Sequence, residues 1–218
     1  MMKRINNGLK AFTLLELMVV IAIIGVLAAI LIPSISGYIK KAQKAVDITN
    51  AKQIFEAVQL TVLMDDNAEY SFAGKDHGYR NPQQVNVDGE TYKVSKIADT
   101  AGYNTSAAIY QDNKRAWQGS QRESNDFADA LNKTMGYDWN VLKGKRQIAI
   151  PLKYSIKRDG MRGERWNVCA RVGQSGRWAS EYHPNASECE IWVGTTNEKR
   201  LVRLYPNPDQ EYADGATE

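Results

Sequence analysis

Hydrophobic and polar positions divide the chain into two unlike parts. Leu17 to Ile32 is a run of sixteen residues without a polar side chain. Beyond about Asp65 the chain is polar, aromatic and rich in turn residues. Phe12 to Ile32 would span about 31 Å as a helix, close to the ~30 Å hydrocarbon core of a bilayer. Past Pro33 the pattern becomes amphipathic. Ile39, Ala42, Val46, Ala51, Phe55, Val58 and Val62 fall on one side at helical spacing, and Lys40, Lys41, Lys44, Asp47, Lys52 and Glu56 take much of the rest. The spacing predicts one helix over 12–64, with 12–33 crossing the membrane and 34–64 amphipathic. Asp65-Asp66-Asn67 is its predicted end. Gly25 and Ala29 form a small-x-x-x-small pair suited to close helix contact. Pro33 cannot donate to the carbonyl of Ala29, which predicts a kink or loosened turn there.

The remainder reads as a region of loops over 65–122 and a sheet domain over 123–218. Val85 to Val94 is the clear element of the first: Asp88-Gly89 lies between alternating segments, a hairpin signal. Residues 124–135 read as a short helix capped by Ser124 or Asn125, with Phe127, Ala130 and Leu131 inward. Strands are predicted at Gln147–Ile156, Arg165–Val172, Glu190–Gly194 and Arg200–Tyr205. Four antiparallel strands against the back half of the long helix would bury both amphipathic faces, an α+β arrangement.

Charge sharpens the picture at the N-terminus. Lys3, Arg4 and Lys10 precede the apolar run and no acid does, which keeps this end cytoplasmic in a single-pass topology. The chain has 28 basic and 25 acidic side chains, so removal of residues 1–11 leaves 25 of each. A neutral chain lacks long-range self-repulsion, which suits close packing of many copies. The basic excess therefore says little about nucleic acid. Glu16 is the exception in the apolar segment. A carboxylate there is costly and marks a functional position, unless it lies at the interface where the helix N-terminus tolerates an anion.

Lys10-Ala11-Phe12-Thr13-Leu14-Leu15-Glu16-Leu17-Met18-Val19-Val20 resembles the processing site of type IV prepilins and the related pseudopilins. The resemblance covers about residues 8–40. It implies a cytoplasmic leader over 1–11, cut by prepilin peptidase between Ala11 and Phe12, and N-methylation of the new terminus at Phe12. The family usually has Gly before the cut, where this chain has Ala11. It implies an assembly role for Glu16. Its carboxylate would neutralise the terminal ammonium on Phe12 of a neighbouring subunit, and a subunit out of axial register would leave both charges unpaired. It also implies loss of helicity from Gly25 to Pro33 in the filament. The family layout is a long helix, a variable loop, an antiparallel sheet and often a disulfide-closed C-terminal region, a place that Cys169 and Cys189 fit. Such a bridge would close a loop of about 20 residues. The implied partners are further copies in a helical homopolymer, the peptidase, an inner-membrane assembly platform with minor pilins, and membrane lipid before assembly. The implied locations are the cell membrane and then an extracellular pilus.

Other candidates are weaker. His77 and His183 stand at no metal-ligand spacing, and no phosphate loop or nucleophile elbow occurs, so no catalytic residue, metal or cofactor is expected. Asp209, Glu211 and Asp214 near the terminus lack the spacing of a calcium loop. Lys157, Arg158, Arg162 and Arg165, with Trp166 and Trp178 nearby, could meet nucleic acid or another anionic surface, but fit a solvated hairpin tip with core tryptophans. The function classes left are a pilus structural subunit, a minor pilin or pseudopilin of a secretion or DNA-uptake machine, and a tip adhesin or lectin on a pilin stem.

Overall fold

A computed structural model describes residues 12–73, 83–87, 90–100, 108–109, 117–119, 125–137, 147–148, 150, 152–154, 157–158, 161–172, 188–195 and 201–213. The chain separates into two compact units, 1–41 and 42–218. Helix α1, Leu14–Met64, supplies the described part of the first and opens the second.

In the first unit α1 runs through Gly25 and Pro33 without interruption. The loss of helicity that the resemblance implies there belongs to the filament, and this single chain is helical throughout that stretch. A proline deletes its own bond to the carbonyl one turn back, and the turns on either side keep theirs. The Ser36 hydroxyl donates to the Pro33 carbonyl at 2.8 Å across the following turn.

In the second unit α1 buries Lys44, Asp47, Ala51, Ile54, Val58 and Thr61. The steps of three and four alternate, which is the heptad stripe of a helix seated on a core. This stripe is rotated from the predicted one. Ala42 and Val46 are exposed, Phe55 and Val62 flank the core, and two charged residues expected outside lie inside. Both have tertiary partners. The Asp47 carboxylate accepts the backbone N–H of Lys153 and of Tyr154, each at 2.7 Å. The Lys44 ammonium stands 4.7 Å from the centre of the Tyr154 ring, within cation–π range.

The sheet is antiparallel. Its strands are β1 (Gln83–Val87), β2 (Glu90–Thr100), β4 (Trp117–Gly119), β6 (Lys157–Arg158), β7 (Met161–Val172), β8 (Cys189–Thr195) and β9 (Leu201–Tyr205), while β3 (Ala108–Ile109) pairs with β5 (Gln147–Ile148) in a separate ladder. The order is β1-β2-β7-β8-β9, with β4 on β2 and β6 on β7. The predicted hairpin is present, with Val87 paired to Glu90, and positions 88 and 89 lie outside the described residues. It belongs to the main sheet, because β2 pairs with β7 from Lys93 to Asp99. Of the strand expected over 147–156, the described residues hold β5, and 150 and 152–154 are not in a strand. Pro151 has no N–H for a ladder, and Asp47 takes the amides of Lys153 and Tyr154 instead.

Side chains alternate across the sheet. Trp166, Val168, Ala170, Cys189, Ile191, Val193, Val202 and Leu204 join the core that holds Ala51, Ile54 and Val58. Trp166 also donates its indole N–H to the Ile150 carbonyl at 2.8 Å. The other face buries Val94, Cys169 and Trp192. There Arg203 and Glu190 form an ion pair at 3.4 Å, and the Trp192 indole donates to Glu190 at 3.1 Å. Removing one partner of such a buried pair strands a charge, at a cost on the order of 3–5 kcal/mol.

This alternation overturns the expected disulfide. Ala170 pairs with Cys189 and Cys169 pairs with Glu190, so the two thiols belong to opposite faces. Cys189 lies in the larger core and Cys169 in the smaller one, and the structure holds both as thiols. A bridge would need a one-residue slip of β8 on β7, which would turn every β8 side chain to the wrong face.

Three short helices lie among the described residues of the unit. Asp65 ends α1 and caps α2 (Asp66–Phe72), its carboxylate accepting the amides of Asn67 and Ala68 at 3.0 Å. The acidic residues read as a terminus are therefore also a start. Helix α3 (Asn125–Thr134) buries Phe127, Ala128 and Leu131. Its Asn132 side chain accepts the Trp117 N–H at 2.8 Å and donates to the Trp117 carbonyl at 2.9 Å, holding β4 as a neighbouring strand would. Gly136 has φ 76, and the bonds Tyr137 N–H to Asn132 O and Gly136 N–H to Lys133 O form a Schellman cap. Helix α4 (Gln210–Ala213) brings Tyr212 into the core.

Two measurements check these points. A Cβ at Gly136 would meet open space, so Gly136→Ala isolates the backbone strain. Denaturant unfolding should show a loss of about 1–2 kcal/mol with an unchanged slope. Alkylation of the denatured chain without reductant should add two groups; a mass with none would restore the bridge.

Candidate functional site

The head of α1 is the site the sequence singles out. Thr13 precedes the first helical residue and Glu16 is the third residue of the helix, the positions of a capping box. The Glu16 amide donates to the Thr13 hydroxyl oxygen at 3.3 Å. In return Glu16 Oε2 accepts the Thr13 N–H at 2.9 Å and the Thr13 hydroxyl at 3.0 Å. Leu17 N–H then donates to Thr13 O at 3.3 Å and starts the helical ladder. All these groups are exposed. Both readings of Glu16 thus have a basis. Oε2 satisfies the helix terminus of its own chain, and Oε1 takes none of these bonds.

The apolar surface behind this head is large. Phe12 is 82% exposed, and Leu17, Ile21, Ile24 and Leu31 are more than half exposed. The segment is long and apolar enough to cross a membrane, and none of its most apolar stretch is buried within the chain. Soluble domains do not leave contiguous apolar surface of this extent uncovered.

Of the other candidates, Ala11, Asp214, His77, His183 and Trp178 lie outside the described residues. Lys157, Arg158, Arg162 and Arg165 fall on the β6–β7 hairpin, whose register pairs Lys157 with Arg162. Asp209 gives its N–H to Arg203 O at 2.9 Å and its carbonyl to Tyr212 N–H at 2.8 Å, so its backbone folds the C-terminal turn. Among the described residues no three His, Cys, Asp or Glu side chains gather as metal ligands. The buried Lys44 and Asp47 were missed by sequence reading, because periodicity alone assigns charge to the outer face.

Comparison with known proteins bears on the head of α1. The prokaryotic N-terminal methylation motif matches residues 7–32. The chain is also similar to the type IV major fimbrial protein FimA of Dichelobacter nodosus, 42% identical over 65 residues, which are 30% of this chain and 41% of that protein. The chain belongs to the type IV pilin family. A second similarity is to fimbrial protein Q of Moraxella bovis, 62% identical over 37 residues, 17% of this chain and 24% of that protein. A third is to the type IV major pilin protein PilA of Myxococcus xanthus, 35% identical over 95 residues, 44% of this chain and 41% of that protein. The matches span less than half the length of each of these three relatives. No solved structure matches it.

In the pilin, Thr13→Val keeps the side-chain shape and removes the hydroxyl that both accepts and donates in the cap. Loss of such a cap costs about 0.5–2 kcal/mol. Amide exchange in detergent micelles should be faster in the first turn, at Leu15 to Leu17, and unchanged beyond Gly25.

Proposed function

We propose that the chain is the structural subunit of a type IV pilus. The observation that carries this reading is the head sequence Phe12-Thr13-Leu14-Leu15-Glu16 on a 51-residue helix whose first half is exposed and apolar. Prepilin peptidase cuts between Ala11 and Phe12 on the cytoplasmic side, and Phe12 becomes the N-methylated terminus. Before assembly, lipid covers the apolar half of α1 and the helix crosses the cell membrane once. During assembly, on an inner-membrane platform primed by minor pilins, other copies of α1 replace the lipid.

The chemistry of Glu16 supports a handover. In the single chain its carboxylate caps its own helix through Thr13. Cleavage places an ammonium on Phe12. In a hydrocarbon surrounding, two unpaired charges are costly and a matched pair is far less so. A neighbour in correct axial register brings its Phe12 ammonium to Glu16, and other registers leave both charges bare. The pairing selects register more than it adds stability. The filament emerges as an extracellular pilus, whose roles would be adhesion and twitching motility.

The test is the N-terminal sequence and intact mass of the chain from shear-released surface filaments. N-methyl-Phe12 as the start, in the dominant band, is the expected result. Glu16→Gln should leave cleavage intact and abolish filaments, because an amide carries no charge to meet the ammonium. The same N-terminus with traces alone in filaments would move the assignment to a minor pilin, pseudopilin or tip adhesin. An intact Met1 start would overturn the reading.

A further inference from the structure

Asp47 is 0% exposed and its two carboxylate oxygens are both committed. One accepts the Lys153 amide and the other the Tyr154 amide, each at 2.7 Å. A proton added to either oxygen turns a charged acceptor into a neutral hydroxyl, which accepts an N–H more weakly. One of the two bonds is then weakened. We propose that Asp47 is a proton-operated clasp between α1 and the 153–154 segment, which as a carboxylate holds both amides and when protonated holds one of them more weakly.

The surroundings tune the clasp. Burial pushes the Asp47 carboxyl up, and the two amide bonds and the Lys153 charge pull it partly back, leaving it at about 6 against an ordinary 3.8. Lys44 approaches from the preceding turn of α1, over Tyr154 at 4.7 Å and Tyr212 at 6.0 Å. Tyr212 from α4 meets Tyr154 edge-on, with ring centres 5.6 Å apart, and its hydroxyl donates to the Tyr154 carbonyl at 3.4 Å. Among the described residues, Lys153 and Tyr154 act on Asp47 directly, and Lys44 and Tyr212 pack on Tyr154 beside it. Through Tyr154 the weakening reaches the C-terminal turn. The folded value lies above the unfolded one, so the neutral form favours folding. The stabilising contribution of Asp47 is full below about 3.8 and is lost as pH rises through about 6. Mild acid therefore loosens one local bond while it strengthens the fold as a whole.

The experiment is NMR of the full chain in detergent micelles, with the aspartate carboxyl carbons and the Lys and Tyr amide nitrogens labelled, from pH 4 to 8. The Asp47 carboxyl carbon should titrate at about 6. The Lys153 and Tyr154 amide shifts should follow the same midpoint, and exchange protection of one of them should fall about tenfold below it, the weakening of one charge-assisted bond. In Asp47→Asn both amides should stop responding to pH. A carboxyl midpoint near 4, amides that ignore it, or an amide response that persists in Asp47→Asn would overturn the proposal. If that variant fails to fold, the carboxyl titration of the unaltered chain decides alone.

Discussion

Backbone amides that end inside a protein need acceptors, and the fold of residues 42–218 depends on where those of Lys153 and Tyr154 find theirs. They find Asp47, on the buried stripe of α1. That choice turns α1 so that positions 44, 47, 51, 54, 58 and 61 face inward. It takes the amides of Lys153 and Tyr154 away from any ladder, and Ile150, Leu152 and Tyr154 pack on the core. It sets the Tyr154 ring under Lys44 and against Tyr212.

The same helix meets two different physical demands. Its first half is apolar all round, which on the proposed function suits a surrounding of lipid and then of other helices. Its second half needs an apolar stripe and tolerates polar members where tertiary partners satisfy them. Ala51, Ile54 and Val58 supply the burial, worth on the order of 2 kcal/mol for each large side chain. Thr61 returns its hydroxyl to Ala57 O and bonds the Thr134 hydroxyl of α3 at 2.9 Å. Specificity of docking thus rests on the polar ends of the stripe and energy on its middle.

The head of α1 and the far face of the sheet show charge handled in two ways. Thr13 and Glu16 share a local cap that any chain with this tetrapeptide could form, which leaves the carboxylate open to exchange partners. Glu190 and Arg203 are 5% exposed and fixed by Trp192 and by Asn207 O, so their pairing cannot be exchanged without opening the sheet. Exposure decides which charge can exchange partners and which holds the fold.

Local signals in the sequence determined the local features. The length of α1, the hairpin at Asp88-Gly89, the extent of α3 and the Phe12–Glu16 head all follow from spacing within a dozen residues. The family follows from the head as well, because its motif lies within consecutive positions. Tertiary structure alone decided which face of α1 is buried, since Lys44 and Asp47 read as solvated until Tyr154 and two distant amides are beside them. It also decided the state of the cysteines. Two thiols about 20 residues apart look bridgeable in one dimension, but pairing β7 with β8 at Ala170 and Cys189 sends them to opposite faces, and a strand's period of two leaves no compromise.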